Sequence, residues 1–326
     1  MRASPVAVEV WRSTTVESRH RVQLAVATTD GRVLHRQGAT DVSMFPRSAL
    51  KPLQALPFIE TGAADASGSD AAEIALACAS HGGEPMHVER VLAWLERLGL
   101  GAPDLECGAH APAYAAAADA LKAKGAAPTA AHNNCSGKHT AMLATARHLG
   151  EPTRGYLAPD HPVQRRVRQT LEHLLGEALP EPAVDGCGVP NWPMTVGGLA
   201  RAMARSLHHG ASAERIRHAM RAHPDLVAGT GRLCTALMTH LPDIVAKTGA
   251  EGVFVALLPR QGLALAVKAE DGASRAAEVA LLAVLAKLLP NEPGFEALAP
   301  FARPTLQNVA GKAVGRILPA PGWPDW

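Results

Sequence analysis

Apolar and polar residues alternate with a period of two near both ends of this chain, and a helical spacing replaces that pattern in between. Val6, Val8 and Val10 alternate with Ala7, Glu9 and Trp11, the period of a half-buried strand. Val22, Leu24 and Val26 repeat it, and Thr29-Asp30-Gly31-Arg32 is a turn sequence ahead of Val33 and Leu34. Three antiparallel strands are therefore expected before Gly38. Near the other end, 253–258 and 263–267 read as a hairpin across 259–262, followed by a helix over 276–289. The middle predicts helices over 86–98, 113–124, 138–149, 162–175, 196–207, 213–221 and 232–241, separated by Gly/Pro-rich loops.

Strands at the two ends find partners most simply in one sheet. The expected class is α/β in the α+β sense: an antiparallel sheet built from both chain ends and flanked by helices, with a helical lobe inserted. The sheet lobe is expected at 1–60 with 245–326 and the mainly helical lobe at 61–244, forming one compact catalytic unit. The Pro-containing end, 319–326, is expected to be loosely attached.

Composition narrows the function classes. A chain of 326 residues, 47% of them hydrophobic, can bury a sizeable core. A formal net charge of +2, no long basic run and 4% aromatic residues argue against nucleic acid as a partner. No window approaches eighteen uninterrupted apolar residues, so no membrane span is expected, and residues 1–10 do not read as a leader. The five cysteines are odd in number and scattered, which fits reduced thiols, the cytoplasm and a metal better than a disulfide frame.

Against that background, Phe45-Pro46-Arg47-Ser48-Ala49-Leu50-Lys51 stands out as a Ser-x-x-Lys at a loop-to-helix junction. On a helix Ser48 and Lys51 share one face. A hydroxyl and a neutral amine so placed can act as nucleophile and base, and the free N–H groups of the first turn can stabilise an oxyanion. By composition alone the pattern arises about 0.3 times in such a chain, so it needs support. Pro52 is tolerable only in a first helical turn, and Pro57 is expected to kink or end the helix.

Two further stretches supply that support. Lys247-Thr248-Gly249 precedes the strand at 253–258, and Ser-x-x-Lys followed by a late Lys-Thr-Gly is the order seen in β-lactamases and penicillin-binding proteins. A second ammonium near Lys51 would lower the pKa of both amines. The Ser-Asp-Asn motif of those enzymes is absent, which argues against a penicillin-directed enzyme. Basic residues number 24 Arg and 8 Lys, so a motif lysine suggests chemistry that arginine cannot do, namely giving up a proton.

The other stretch is His132-Asn133-Asn134-Cys135-Ser136-Gly137-Lys138-His139, echoed by Asp185-Gly186-Cys187-Gly188-Val189-Pro190. Both cysteines lie in loops at helix starts, where thiolates are stabilised. With His139, Asp185 or His132 they can form a zinc site. A nucleobase-deaminase signature is absent. Cys78, Cys107 and Cys234 read as small buried residues.

Taken together, the chain resembles the rhizobial-type L-asparaginases. The matching pieces are Val8-Glu9-Val10-x-Arg12 with Glu17-Ser18-x-His20, Arg47-Ser48-x-x-Lys51-Pro52-x-Gln54, Ala79-Ser80-His81-Gly82-Gly83, Cys107-Gly108-x-His110, the His132 and Asp185 stretches, and Ala246-Lys247-Thr248-Gly249-Ala250-Glu251-Gly252. The resemblance implies a serine β-lactamase/glutaminase-like fold, a homodimer, and hydrolysis of L-asparagine to aspartate and ammonia. It also implies two Ser/Lys pairs, Ser48 with Lys51 and Ser80 with Lys247, and a zinc (Zn2+) held by Cys135, Lys138 and Cys187. Asp185, His139, Arg47 and Asn134 would lie near metal or substrate.

From the residues alone His139 is the better ligand, because a lysine must first lose its proton. Lys138 and Ser80 enter the site only through the resemblance. The resulting expectation is a covalent β-aspartyl-enzyme at Ser48, with zinc assisting substrate binding. The rivals are a glutaminase or penicillin-directed Ser-Lys hydrolase, a zinc-dependent amidohydrolase, and a non-catalytic metal-binding protein.

Overall fold

A computed structural model describes residues 3–326. Met1 and Arg2, the first residues of the stretch read for a leader, lie outside the described residues. The chain forms two compact units: residues 1–49, 194–205 and 236–326 in one, residues 50–193 and 206–235 in the other.

The first unit is organised by one long strand. β1 (Val6–Arg12) turns into β2 (Thr15–Thr28) and then β3 (Val33–Gln37). The first half of β2 alternates in burial and pairs with β1, whereas its second half, 22–27, is buried throughout and runs between β3 and a strand from the far end of the chain. Those later strands are β4 (Val245–Gly249), β5 (Val253–Leu258), β6 (Leu263–Ala269), β7 (Thr305–Gln307) and β8 (Ala313–Pro319). The sheet runs β7-β8-β1-β2-β6-β5-β4, with β3 also on β2, and every pairing is antiparallel.

Register joins the ends directly. Val10 faces Ile317 across β1 and β8, and Leu265 faces Val26 across β6 and β2. The sheet is thus built from both chain ends, as the periodicity predicts. A long helix, Ser274–Leu288, lies against β1, β2, β5, β6 and β8 and buries Ala276, Ala277, Val279, Ala280, Leu281 and Leu282. Its alanines allow close approach to the sheet, while its leucines and valines supply the apolar area whose burial drives the packing.

Two expectations are corrected here. Lys247-Thr248-Gly249 lies within edge strand β4 rather than ahead of the first late strand, with Lys247 opposite Val255. The chain end is also attached: β8 pairs with β1, the Trp323 indole donates to the Ala280 carbonyl at 3.2 Å, and Trp326 stacks on His35 with centroids 4.4 Å apart. Tryptophan brings a large apolar surface and one N–H to satisfy, and that outweighs the breaking effect of the nearby prolines.

The second unit is helical, with α1 (Ala71–Ala77) lying against α2 (Pro85–Arg97), α3 (Ser136–His148) and α5 (Gly210–Ala222), and with α4 (Pro162–Leu175) beside α3. Asp70 caps α1 by accepting from the Glu73 N–H at 2.9 Å. A Cβ at Gly137 would overlap the Leu76 carbonyl. Glycine there lets the first turn of α3 press against the end of α1, which brings the Cys135 and Ser80 loops close. Ahead of them, Lys51–Gln54 and Leu56–Glu60 are separate short helices, each with proline in its first turn, so Pro57 breaks the helix as expected.

Candidate active site

Ser48 belongs to the first unit. It sits half-buried in the 3-10 turn Arg47–Leu50, immediately after Arg47, whose φ of 53° is left-handed. A non-glycine residue in that region costs on the order of 1–3 kcal/mol and tends to persist at functional sites. The Lys-Thr-Gly strand backs onto this turn. A Cβ at Gly249 would stand 2.7 Å from the Pro46 carbonyl oxygen and 3.1 Å from the Ala49 nitrogen. Glycine is therefore required for β4 to lie beside the serine turn. On β4, Lys247 is 1% exposed and its amine donates to the Thr248 carbonyl at 2.7 Å.

Lys51 and Ser80 belong to the second unit. Lys51 is fully buried. Its amine lies 3.0 Å from Ser80 Oγ, contacts the Ala79 carbonyl and reaches the Asn134 carbonyl at 3.5 Å. Two of these partners can only accept, whereas the hydroxyl can also donate. The amine donates to all three, and the hydroxyl is the one of them that can also give up a proton. The Ser80 N–H is tied to the Val227 carbonyl at 2.9 Å and the His81 N–H to the Asn134 carbonyl at 3.2 Å, which fixes the loop.

A second buried amine lies in the same unit. Lys138 is 2% exposed. It donates to Cys187 Sγ at 3.1 Å, and Cys187 Sγ is 3.8 Å from Asp185 Oδ2. Cys135, at the N-cap of α3, forms a hydrogen-bonded thiol pair with Cys187. That bond, opposed by burial and helped by Lys51 and Lys138, holds the Cys135 thiol well below its ordinary value, while the same bond and burial push Cys187 up. Burial opposes the Lys138 charge, but the two sulfurs and Asp185 outweigh it and raise its pKa.

Among the described residues, no group of three or more His, Cys, Asp or Glu side chains is arranged to hold a metal. The two sulfurs reach a tetrahedral donor set only if Lys138 and Asp185 join them. Two sulfurs and a lysine nitrogen are donor types that suit zinc, provided the metal takes the place of the lysine proton.

His139 turns away from this group. Its Nδ1 bonds to the Tyr156 hydroxyl at 2.8 Å, its Nε2 is buried without a hydrogen-bond partner, and burial followed by Lys138 and Lys51 lowers its pKa well below the ordinary value. Asn134 contributes its carbonyl to the Lys51 amine. Tyr156, His81 and His110 take structural parts that the sequence reading did not assign. His110 Nε2 accepts from the Asn134 N–H at 2.9 Å, and His81 bonds to Ser136 Oγ at 2.9 Å. Position in the quoted motifs was the available signal for the two histidines, whereas Tyr156 carried none.

Comparisons with known proteins follow the same line. The model of the L-asparaginase II family matches residues 8–319. Among curated proteins, none matches the chain by sequence. Of solved structures, the native form of Mglu is 17% identical with a TM-score of 0.44, covering 83% of this chain and 64% of that one; the chain thus spans under two thirds of Mglu's length. A β-lactamase from Mycobacterium bovis is 16% identical with a TM-score of 0.42, covering 86% and 95%. A class C β-lactamase is 14% identical with a TM-score of 0.38, covering 79% and 88%. No helix among the described residues is long and apolar enough to cross a membrane. With its model matched over nearly the whole chain, the family is established: this protein belongs to the L-asparaginase II family.

Proposed function

We propose that the protein hydrolyses the side-chain amide of L-asparagine through a Ser-Lys nucleophile. Ser48 Oγ attacks the amide carbon while Lys51, as base, takes the hydroxyl proton. The C–N bond then breaks, a proton passes to the leaving nitrogen, and ammonia departs from a β-aspartyl ester on Ser48. Water cleaves that ester, giving aspartate and restoring the serine. Ser80 and Lys247 relay protons and tune the base. The observation that carries this reading is the buried Lys51 amine, which lies 3.0 Å from the Ser80 hydroxyl.

Cys135, Lys138 and Cys187 would hold a zinc ion, with Asp185 beside them. When bound, zinc supplies a fixed positive charge that helps orient a polar substrate. The proposal also takes the enzyme to be a cytoplasmic homodimer, which sedimentation at micromolar concentration checks.

The decisive experiment is ammonia release from asparagine and glutamine, with ring opening of a β-lactam followed separately, by wild type and Ser48→Ala, with zinc content determined alongside. Release from asparagine above all, lost in Ser48→Ala, supports the reading. Preference for glutamine moves the substrate, and full activity in Ser48→Ala removes the serine mechanism.

A further inference from the structure

Asn133 precedes the thiol loop by two residues, and every polar atom of its side chain is used. It is 4% exposed. Its Oδ1 accepts the Cys135 N–H at 2.9 Å, and its Nδ2 donates to the Cys107 carbonyl at 2.9 Å and the Gly108 carbonyl at 3.0 Å. The amide orientation follows from the partners, since two carbonyls need a donor and an N–H needs an acceptor. An Asn that accepts from the N–H two residues on forms an Asx turn.

The peptide unit held this way joins Asn134 to Cys135. Its N–H goes to Asn133, and its carbonyl faces the Lys51 amine and the His81 N–H. Its far end is the Cα that carries the Cys135 thiol. A rigid, planar peptide transmits rotation at one end to the other. One side chain therefore sets both the carbonyl that meets the proposed base and the sulfur of the proposed metal donor set. It is also bolted to the Cys107 loop.

We propose that Asn133 is a positioning residue for the amidohydrolase reaction, acting through the 134–135 peptide on Lys51 and Cys135; this rests on the Ser-Lys reading above. Its two kinds of bond separate experimentally. Serine in place of asparagine can still accept the Cys135 N–H in the analogous turn, but it cannot reach the Cys107 and Gly108 carbonyls; alanine does neither. Asn133→Ser and Asn133→Ala should thus lose similar thermal stability, because both abandon the Cys107 loop. Their turnover should differ. For Asn133→Ala we expect kcat about 100-fold down with KM within about threefold, the size of effect that a small displacement of a catalytic group produces, and for Asn133→Ser about 10-fold.

A residue that only braced the fold would make kcat follow Tm, leaving the two variants equal. Equal kcat at a temperature where both are folded, or wild-type kcat in either, overturns the proposal. If wild type itself releases no ammonia from any amide, the functional reading fails, and the positioning claim is then judged by alkylation of Cys135 with iodoacetamide, followed by mass spectrometry. Faster alkylation in the order Ala, Ser, wild type supports it, and indistinguishable rates refute it. Should Asn133→Ala not fold, Asn133→Ser against wild type decides by the same two measurements.

Discussion

The second unit buries two lysine amines, and their surroundings differ. Lys138 faces two sulfurs and a carboxylate, which raise its pKa against the pull of burial. Lys51 faces two backbone carbonyls, the Ser80 hydroxyl and a single thiol, that of Cys135. An amine among potential anions is tied to its proton, or to a metal that displaces it. An amine beside a hydroxyl can exchange its proton with a neighbour able to give and receive. The difference teaches why a chain so sparing of lysine keeps two of them within one unit's interior: one suits holding charge, the other suits moving it.

The sharpest way to break this comparison is to change each amine while keeping a cation. Lys51→Arg retains positive charge and donors but cannot act as a base at neutral pH. Steady-state ammonia release should fall about a thousandfold, within the range general-base loss produces, and Ser48→Ala should fall at least as far. Lys138→Arg should keep turnover within about tenfold of wild type. Equal losses in the two arginine variants would show that the lysines do the same work.

Metal removal probes the other half. After dialysis against a chelator, kcat should stay within about threefold while KM for asparagine rises about tenfold, and zinc should restore it; disturbing a metal site typically costs 10–100-fold in affinity or activity. Complete inactivity, reversed by zinc, would transfer the chemistry from the Lys51 side to the thiol side.

The sheet was legible because its signal is local. Alternating valines and a Thr-Asp-Gly-Arg turn define strands whatever surrounds them, and the pairing of both ends follows from the need to satisfy backbone groups. Edge strand β4 was hidden because four of its five residues are buried, including Lys247, so its burial does not alternate. The serine, lysine and cysteine candidates could be named from motifs, but their partners could not. That Lys51 meets Ser80 depends on loops 29 residues apart in sequence, and the part played by Asn133 depends on the Cys107 loop. Both are products of tertiary packing, which no periodicity encodes.

The smallest effect tests the charge of the wall beside Ser80. His81 follows Ser80 and is almost wholly enclosed. Its Nδ1 accepts from the Gly83 N–H at 3.1 Å, so Nε2 carries the proton and donates to Ser136 Oγ, whose own proton goes to the Ala131 carbonyl at 2.9 Å. A second proton on the ring would break the first of these bonds. Burial pushes the His81 pKa well below its ordinary value, and His87, stacked on it with centroids 4.7 Å apart, Lys51, His110 and His132 act in the same direction. The unfolded chain, by contrast, binds a proton at this ring near pH 6.5. Above that pH the ring is neutral in both states and stability is flat in this respect. As pH falls from about 6.5 towards the depressed folded value, the unfolded state alone takes up the proton and stability drops, by up to about 1.4 kcal/mol per pH unit. Urea melts at pH 7, 6 and 5 should therefore show a decline in wild type that is shallower by about one proton in His81→Gln, whose amide can both accept and donate without titrating. Parallel declines would mean that the folded ring takes up its proton over the same pH range as the unfolded chain, and the wall beside Ser80 would then become cationic as the pH falls rather than stay neutral.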